Sequence, residues 1–272
     1  MRGLLVVPVG ALFAACSTPS LRDPQILVSP YMAVYQLRGD TKMESQPGGV
    51  GPIVANDSQD LGQFGVGGHE EDVGVRIDLG DGFGGFRLDY YQLDMATSKF
   101  GVLSDDWGAL PAASRVQMEQ SMDEYRLGFV EPIYATKTEF RDRPLDLRFG
   151  AGAVLSQRTL HLRGTTDDYL TRQNVKATGQ NVYPAVRAQA KWREFRVDLE
   201  YALCPDLQLG GDFDGVLQDL EMRLTYEVPL RDLRLFAGYR YSTLPIAGTQ
   251  GSFDYEADLV LDGLQIGLQL TF

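Results

Sequence analysis

The stretch that decides the fold is Leu264-Gln-Ile-Gly-Leu-Gln-Leu-Thr-Phe272. Leu264, Ile266, Leu268, Leu270 and Phe272 take every second position, with Gln265, Gly267, Gln269 and Thr271 between them. A period of two places one set on each face of a β-strand. The apolar set is continuous and ends on an aromatic residue. A soluble sheet gains little from such a strand at its edge. A sheet that closes on itself inside a bilayer needs one, with an aromatic at the interface.

The same alternation recurs upstream. Ile26 to Leu37 forms a first strand, with Tyr31, Ala33, Tyr35 and Leu37 on one face. Val73 to Leu79 and Phe86 to Tyr90 form a hairpin around Gly80-Asp81-Gly82. Tyr125 to Phe129, Leu145 to Leu155, Val182 to Trp192, Phe195 to Leu203, Leu220 to Val228 and Leu233 to Tyr241 repeat the pattern. Pro184 suggests a local bulge. Arg193-Glu194 and Pro229 to Arg231 read as short turns, and a further turn lies around Thr136 to Pro144. Gly39 to Gly68, Ala96 to Met118, Arg163 to Thr178 and Thr243 to Phe253 read as long loops, and a short acidic one holds Asp206, Asp212 and Asp214. The expected fold is all-β: a closed antiparallel transmembrane barrel of about ten strands, with eight as the alternative and twelve less favoured. Short periplasmic turns alternate with long extracellular loops.

Composition agrees. The net charge of −12 argues against nucleic acid as a partner. No apolar run past the N-terminus is long enough for a membrane helix, which excludes a helical membrane protein but not a barrel. The 30 glycines and 26 Tyr and Phe residues suit twisted strands with aromatic girdles.

The closing stretch Leu264–Phe272 resembles the C-terminal assembly signal of bacterial outer-membrane barrels. With the N-terminal export pattern and the alternation, the chain resembles small bacterial outer-membrane barrels of the OmpA/OmpW-like class, over nearly all of residues 25–272. No functionally defined family is matched. The resemblance implies a bacterial outer-membrane location with both termini periplasmic. It also implies contact with outer-membrane lipids and lipopolysaccharide, and handling by the barrel-assembly machinery during insertion. The protein partner stays unknown.

Residues 1–16 read as an export signal: Arg2, an apolar Gly3 to Phe13, then Ala14-Ala15. Leu12-Phe13-Ala14-Ala15-Cys16 resembles a lipobox with Cys16 as lipid acceptor, although Phe13 departs from the usual aliphatic residue. Ordinary cleavage near Cys16 is the competing reading. Residues 17–24 then form a tether and 25–272 the barrel. Cys204 would be left without a disulfide partner and is read as a small strand residue.

If the apolar faces meet lipid, the opposite faces line the lumen. That inward set carries Arg76, Arg87, Arg126, Arg148, Arg187, Lys191, Arg196, Arg223, Arg234 and Arg240. Asp78, Asp89, Glu124, Asp146, Asp198, Glu200, Asp219, Glu221 and Glu227 share it. Interleaved signs in a narrow barrel favour cross-strand Arg–carboxylate pairs that fill the lumen. A porin-like channel for small solutes or ions is the alternative, although one-signed rings would suit selectivity better. The closing strand has no inward charge, so the network should thin beside the seam, where any passage would lie.

Catalysis lacks a signature. The chain has two histidines, His69 and His161. His161 follows Ser156 without the His-x-Ser arrangement of lipid A deacylases, and no Asp-x-His pair suggests a barrel protease. The expectation is a non-enzymatic envelope protein with a structural or surface-interaction role, a lipid-modifying enzyme being the second alternative. No catalytic residue, cofactor or metal is expected. Asp212-Phe213-Asp214-Gly215, with Asp206 upstream, lacks the spacing and distal Glu of a calcium loop. Asp105-Asp106-Trp107-Gly108 and Tyr169 place aromatics in loops, where they could touch partners.

Overall fold

A computed structural model describes Leu21 and residues 24–272, apart from 50, 67–69, 97–98, 206–207 and 230–231. Ten strands form the wall. They are β1 (Gln25–Met43), β2 (Glu70–Gly80), β3 (Gly85–Ala96), β4 (Arg115–Phe140) and β5 (Arg143–Thr166). The rest are β6 (Arg172–Trp192), β7 (Phe195–Pro205), β8 (Val216–Glu227), β9 (Leu233–Gln250) and β10 (Phe253–Thr271). Each pairs antiparallel with its chain neighbours, and β10 pairs with β1 from Tyr255↔Met43 to Thr271↔Leu27. The sheet therefore closes as a ten-strand ring and leaves no edge in its wall. Phe272 completes the seam, its N–H donating to the Ile26 carbonyl at 2.8 Å.

One end of the ring carries the short connections. Arg141 and Asp142 turn β4 into β5 with φ of 51° and 56°, the left-handed pair that a two-residue hairpin turn needs. Arg193 and Glu194 turn β6 into β7, with Arg193 alone left-handed at φ 55°. At the other end, two expected loops are strands instead. β5 and β6 run on to Thr166 and Arg172, and β9 and β10 to Gln250 and Phe253. Those hairpins project beyond the apolar band.

The reason lies in the faces. In β10, Leu264, Ile266, Leu268 and Leu270 are exposed on the outside, while Gln265 and Gln269 are buried inside. Further along, Asp254, Glu256 and Asp258 are outside, and Tyr255, Ala257, Leu259 and Leu261 are buried inside. Polarity changes sides near Asp262. The same happens in β1, where Met32 and Val34 face out but so do Arg38 and Asp40. Tyr31, Ala33, Tyr35 and Leu37 face the interior. That corrects the expectation that every apolar face meets lipid: above the band, water lies outside and the apolar set turns inward.

The long-loop half thus has an apolar core, and two loops complete it. The segment between β1 and β2 is not a fully exposed loop. Its short 3-10 turn Leu61–Phe64, capped by Asp60 Oδ1 on the Gly62 N–H at 2.7 Å, buries Leu61 and Phe64. Gly65 ends that turn at φ 80°, packed against the Lys99 carbonyl, a place no side chain could share. From the next loop, Leu103, Trp107 and Leu110 are buried. Trp107 meets Phe64 edge-on at 5.3 Å and donates to Thr41 Oγ1 at 3.3 Å.

Pro184 causes no bulge toward β5, with which it keeps register opposite Ala153. It lies where β6 loses its other neighbour: pairing with β7 stops at Ala185↔Ala202 and resumes, shifted, at Gln208↔Asn181. A proline, lacking an N–H, suits that gap. A bulge does occur in β4, between Pro132 and Tyr134.

Inside the ring, rings of aromatic side chains rest on glycines. Tyr31 covers Gly74 on β2 so closely that a Cβ there would overlap its phenol. Gly74→Val should expel Tyr31 and lower stability by about 1–3 kcal/mol. Gly128→Ala, whose added carbon would first meet Val154 at 3.4 Å, should change it by less than about 1 kcal/mol. Urea unfolding followed by tyrosine fluorescence and gel mobility separates the two; equal losses would contradict this packing.

Candidate functional site

The lumen of the apolar band is filled by charge. Arg76, Arg126, Arg158, Arg187, Arg196, Arg223 and Arg240 are buried there with Asp89, Glu124, Glu200, Asp219 and Glu221. Arg87, Asp78 and Asp198 join them, slightly more open. Alternation puts each on the inner face, and ring closure brings together strands distant in sequence.

Three levels can be distinguished. In the middle, Arg76 spans two carboxylates: Nη1 and Nη2 reach Glu221 at 2.6 and 2.7 Å, and Nη2 reaches Asp89 at 2.6 Å. Tyr31 donates to the other Asp89 oxygen at 2.9 Å. Toward the long-loop half, Glu124 accepts from Ser156, Arg158 and Arg240 at 2.7, 2.9 and 2.8 Å, and from Tyr91. Arg240 also reaches Asp219 at 2.8 Å while lying over the Tyr91 ring at 4.8 Å. Arg158 donates to the Tyr183 hydroxyl. Arg126 stands between the levels, within 3.5 Å of Asp219 and 3.7 Å of Glu200. Toward the short-turn end, Glu200 takes Arg87 and Arg187, Asp78 takes Arg87 at 2.6 Å, and Asp198 takes Arg196 at 2.8 Å. The turn after β2 folds into this floor, where the Phe83 carbonyl accepts from Arg187.

These pairs share their partners and are nearly all buried. Removing ions from water costs several kcal/mol each, offset only when such hydrogen bonds satisfy both partners. The network therefore specifies which strands face which across the lumen.

The other residues expected in the lumen lie at its short-turn mouth, half exposed. Arg148 pairs with Asp81 at 3.3 Å, Lys191 with Glu227 at 2.9 Å, and Arg234 with Glu227 at 3.3 Å. Asp146 is opposite Lys191 in register. Beside the seam, charge does thin out: Ser29, Gln265 and Gln269 are buried there. The space is not open. Phe236 lies against Gly267, and Tyr35 against Gly263.

The alternation missed Arg158, Tyr35, Tyr91 and Tyr183. Arg158 was legible: it shares parity with Ser156 and with Leu160 and Leu162, which are all buried. The switch from polar to apolar interior at Leu160 hid the continuity of the strand.

Cys16 and His69 fall outside the described residues, as does Asp206. Cys204 is buried and forms no disulfide. Trp107 is wholly buried and is no surface contact, contrary to expectation. Asp105 and Asp106 tie the two core-forming loops together, accepting from the Asp57 N–H at 2.8 Å and the Ser45 hydroxyl at 3.3 Å. Asp212 bridges to β6 through the Thr178 N–H at 2.8 Å. Among the described residues, no cluster of His, Cys, Asp and Glu has metal-binding proximity.

His161 is on the outer wall of the long-loop half. Its cross-strand neighbour is Ser121, not Ser156, and Lys176 lies on its other side. They share an open recess of about 450 Å³ with Asp94, Glu119 and Arg163. Glu119 is turned to Arg163 at 3.4 Å.

Among solved structures, the outer membrane protease OmpT from Escherichia coli superposes with a TM-score of 0.56 at 10% identity, covering 94% of this chain and 99% of that one. The fold is that of an outer-membrane β-barrel. At 10% identity the likeness concerns the fold alone. Neisserial surface protein A and the attachment invasion locus protein Ail of Yersinia pestis also match, both at a TM-score of 0.29. Their identities are 12% and 8%, they cover 91% and 89% of this chain and 97% of their own, and likeness that distant carries no argument. No family model matches, and no curated protein does.

In this barrel, breaking one ion pair should be worse than replacing it whole. Glu221→Gln should cost about 3–5 kcal/mol by leaving Arg76 and Arg223 underpaired. Arg76→Met with Glu221→Leu should cost less than the sum of the single changes. Urea midpoints of the refolded variants test this; strict additivity would argue against coupling.

Proposed function

We propose that this barrel is a non-conducting, non-enzymatic envelope protein that works through the surface of its long-loop half. The observation that carries this reading is the filled interior: an ion-paired lumen below and an apolar core, closed by two loops, above. Such an interior supports neither a solute path nor an enclosed reaction site. The reading places the termini in the periplasm and the long-loop half outside the cell, in contact with lipopolysaccharide at its base.

The head offers one prepared contact. At the tip joining β5 and β6, Leu170 is 84% exposed and Tyr169 60%. An isolated exposed leucine means little, but this pair is held in place. Asp168 Oδ1 accepts from Thr166 Oγ1 at 2.5 Å and from the Leu170 N–H at 3.0 Å, and Tyr169 sits at φ 60°. Ordering the tip beforehand reduces the entropy lost on binding. The Thr166 hydroxyl and the Leu170 amide hold the Asp168 carboxyl below the usual aspartate range. Because the folded value is depressed, the tip keeps this support above the ordinary aspartate pKa. It loses it as pH falls through the lowered value.

A lipid-modifying enzyme is less well supported. The recess at His161 brings a serine beside an imidazole, but of its two acids, Asp94 and Glu119, the second serves Arg163.

Planar-bilayer recording of the purified barrel should show no discrete conductance steps; reproducible steps would overturn the reading. Asp168→Asn should leave global stability unchanged and speed hydrogen exchange of the Leu170 amide at least several-fold. A photo-crosslinker at Leu170 should trap a partner in cells, and trapping should weaken in Asp168→Asn. No adduct from the tip would sink its assigned role.

A further inference from the structure

The floor of the lumen holds a small, partly open cavity of about 20 Å³. Arg76, Arg87, Arg187, Arg196 and Arg223 contribute to its wall, and Gly82 to Gly84 of the turn after β2 also line it. The volume suits one occupant of about the size of a water molecule.

Four carboxylates also line the cavity, and all are engaged. Asp78 is held by Arg87, Asp198 by Arg196 and Gln189, and Glu200 by Arg87 and Arg187. Glu221 is gripped by both terminal nitrogens of Arg76. Arg223 therefore receives a share of a carboxylate already taken, one contact from Nη2 to Glu221 Oε1 at 3.2 Å. Its guanidinium lies over Phe236 at 4.1 Å. Its Nε, in a side chain 4% exposed, has no hydrogen-bond partner. Among the described residues of the network, eight arginines face seven carboxylates.

A surplus cation, a donor without an acceptor and a cavity of the right size thus occur together. Water could accept the Nε–H but would leave the charge. A doubly charged oxyanion would overcompensate and needs more room than one water site. We propose that the cavity beside Arg223 binds one small monovalent anion of the halide class, taking the Arg223 Nε–H and neutralising the lumen.

The test uses the full-length barrel refolded in detergent, in gluconate at constant ionic strength, titrated with sodium chloride or bromide. The thermal midpoint should rise saturably, by roughly 5 °C at a hundredfold excess over the dissociation constant. Sulfate should give no saturable rise. Arg223→Met should abolish the chloride dependence. A flat wild-type titration, as for a water site, would overturn the proposal, and so would an equal response in Arg223→Met. Should that variant fail to fold, bromide-soaked wild-type crystals decide: an anomalous peak within hydrogen-bond reach of Arg223 Nε supports the site, and a bromide-free cavity refutes it.

Discussion

Strand periodicity is the constraint on which this protein rests. A residue that faces out sends both chain neighbours in, so the environment outside dictates the chemistry inside. Where the wall is apolar outside, polar residues are confined to a narrow lumen and must satisfy one another there. Arg76, Asp89 and Glu221 do this across the ring. Where the wall carries Asp254, Glu256 and Asp258 outside, the interior is free to be apolar, and Leu259, Leu261 and Trp107 share it. One rule thus yields a membrane-type barrel and a water-type barrel in one continuous sheet.

The rule also explains what could be read from the sequence. The ten strands, their antiparallel closure and nearly all of the buried charges follow from alternation in segments such as Phe195–Leu203. Reading apolar as outward failed where the faces exchange. Tyr31 and Tyr35 are apolar by type but face inward, and Thr243 to Gln250 reads like a loop because Pro245, Gly248 and its threonines blur the alternation. Parity does not depend on polarity and would have kept those strands intact. Other features are not local properties at all. Trp107 stands in a segment rich in acids and glycine, and only the opposite walls explain its burial. Arg223 reads like any other inward arginine until its neighbours' commitments to Arg76 and Arg87 are known.

The two halves divide the work. The ion-paired lumen brings strands such as β2 and β8 into fixed opposition and makes the wall rigid. The apolar core and its two loops close the other half. That leaves variable chemistry to the hairpin tips and the outer surface, where a change touches neither filling. A fold shared with OmpT at 10% identity fits this economy: the wall is conserved in geometry while its fillings and tips are free to differ.

The exchange of faces near Asp262 has a mechanical consequence. Arg38 and the Tyr239 hydroxyl meet that carboxylate at 3.1 and 3.4 Å, and the lipid-facing Leu264 is two residues away. Sinking the barrel by one side-chain repeat would draw Asp262 toward hydrocarbon; raising it would expose leucines to water. The outer wall therefore carries its own waterline. Its vertical position in the bilayer is set by sequence rather than by aromatic anchors alone, and the height at which the tips stand above the membrane is fixed with it.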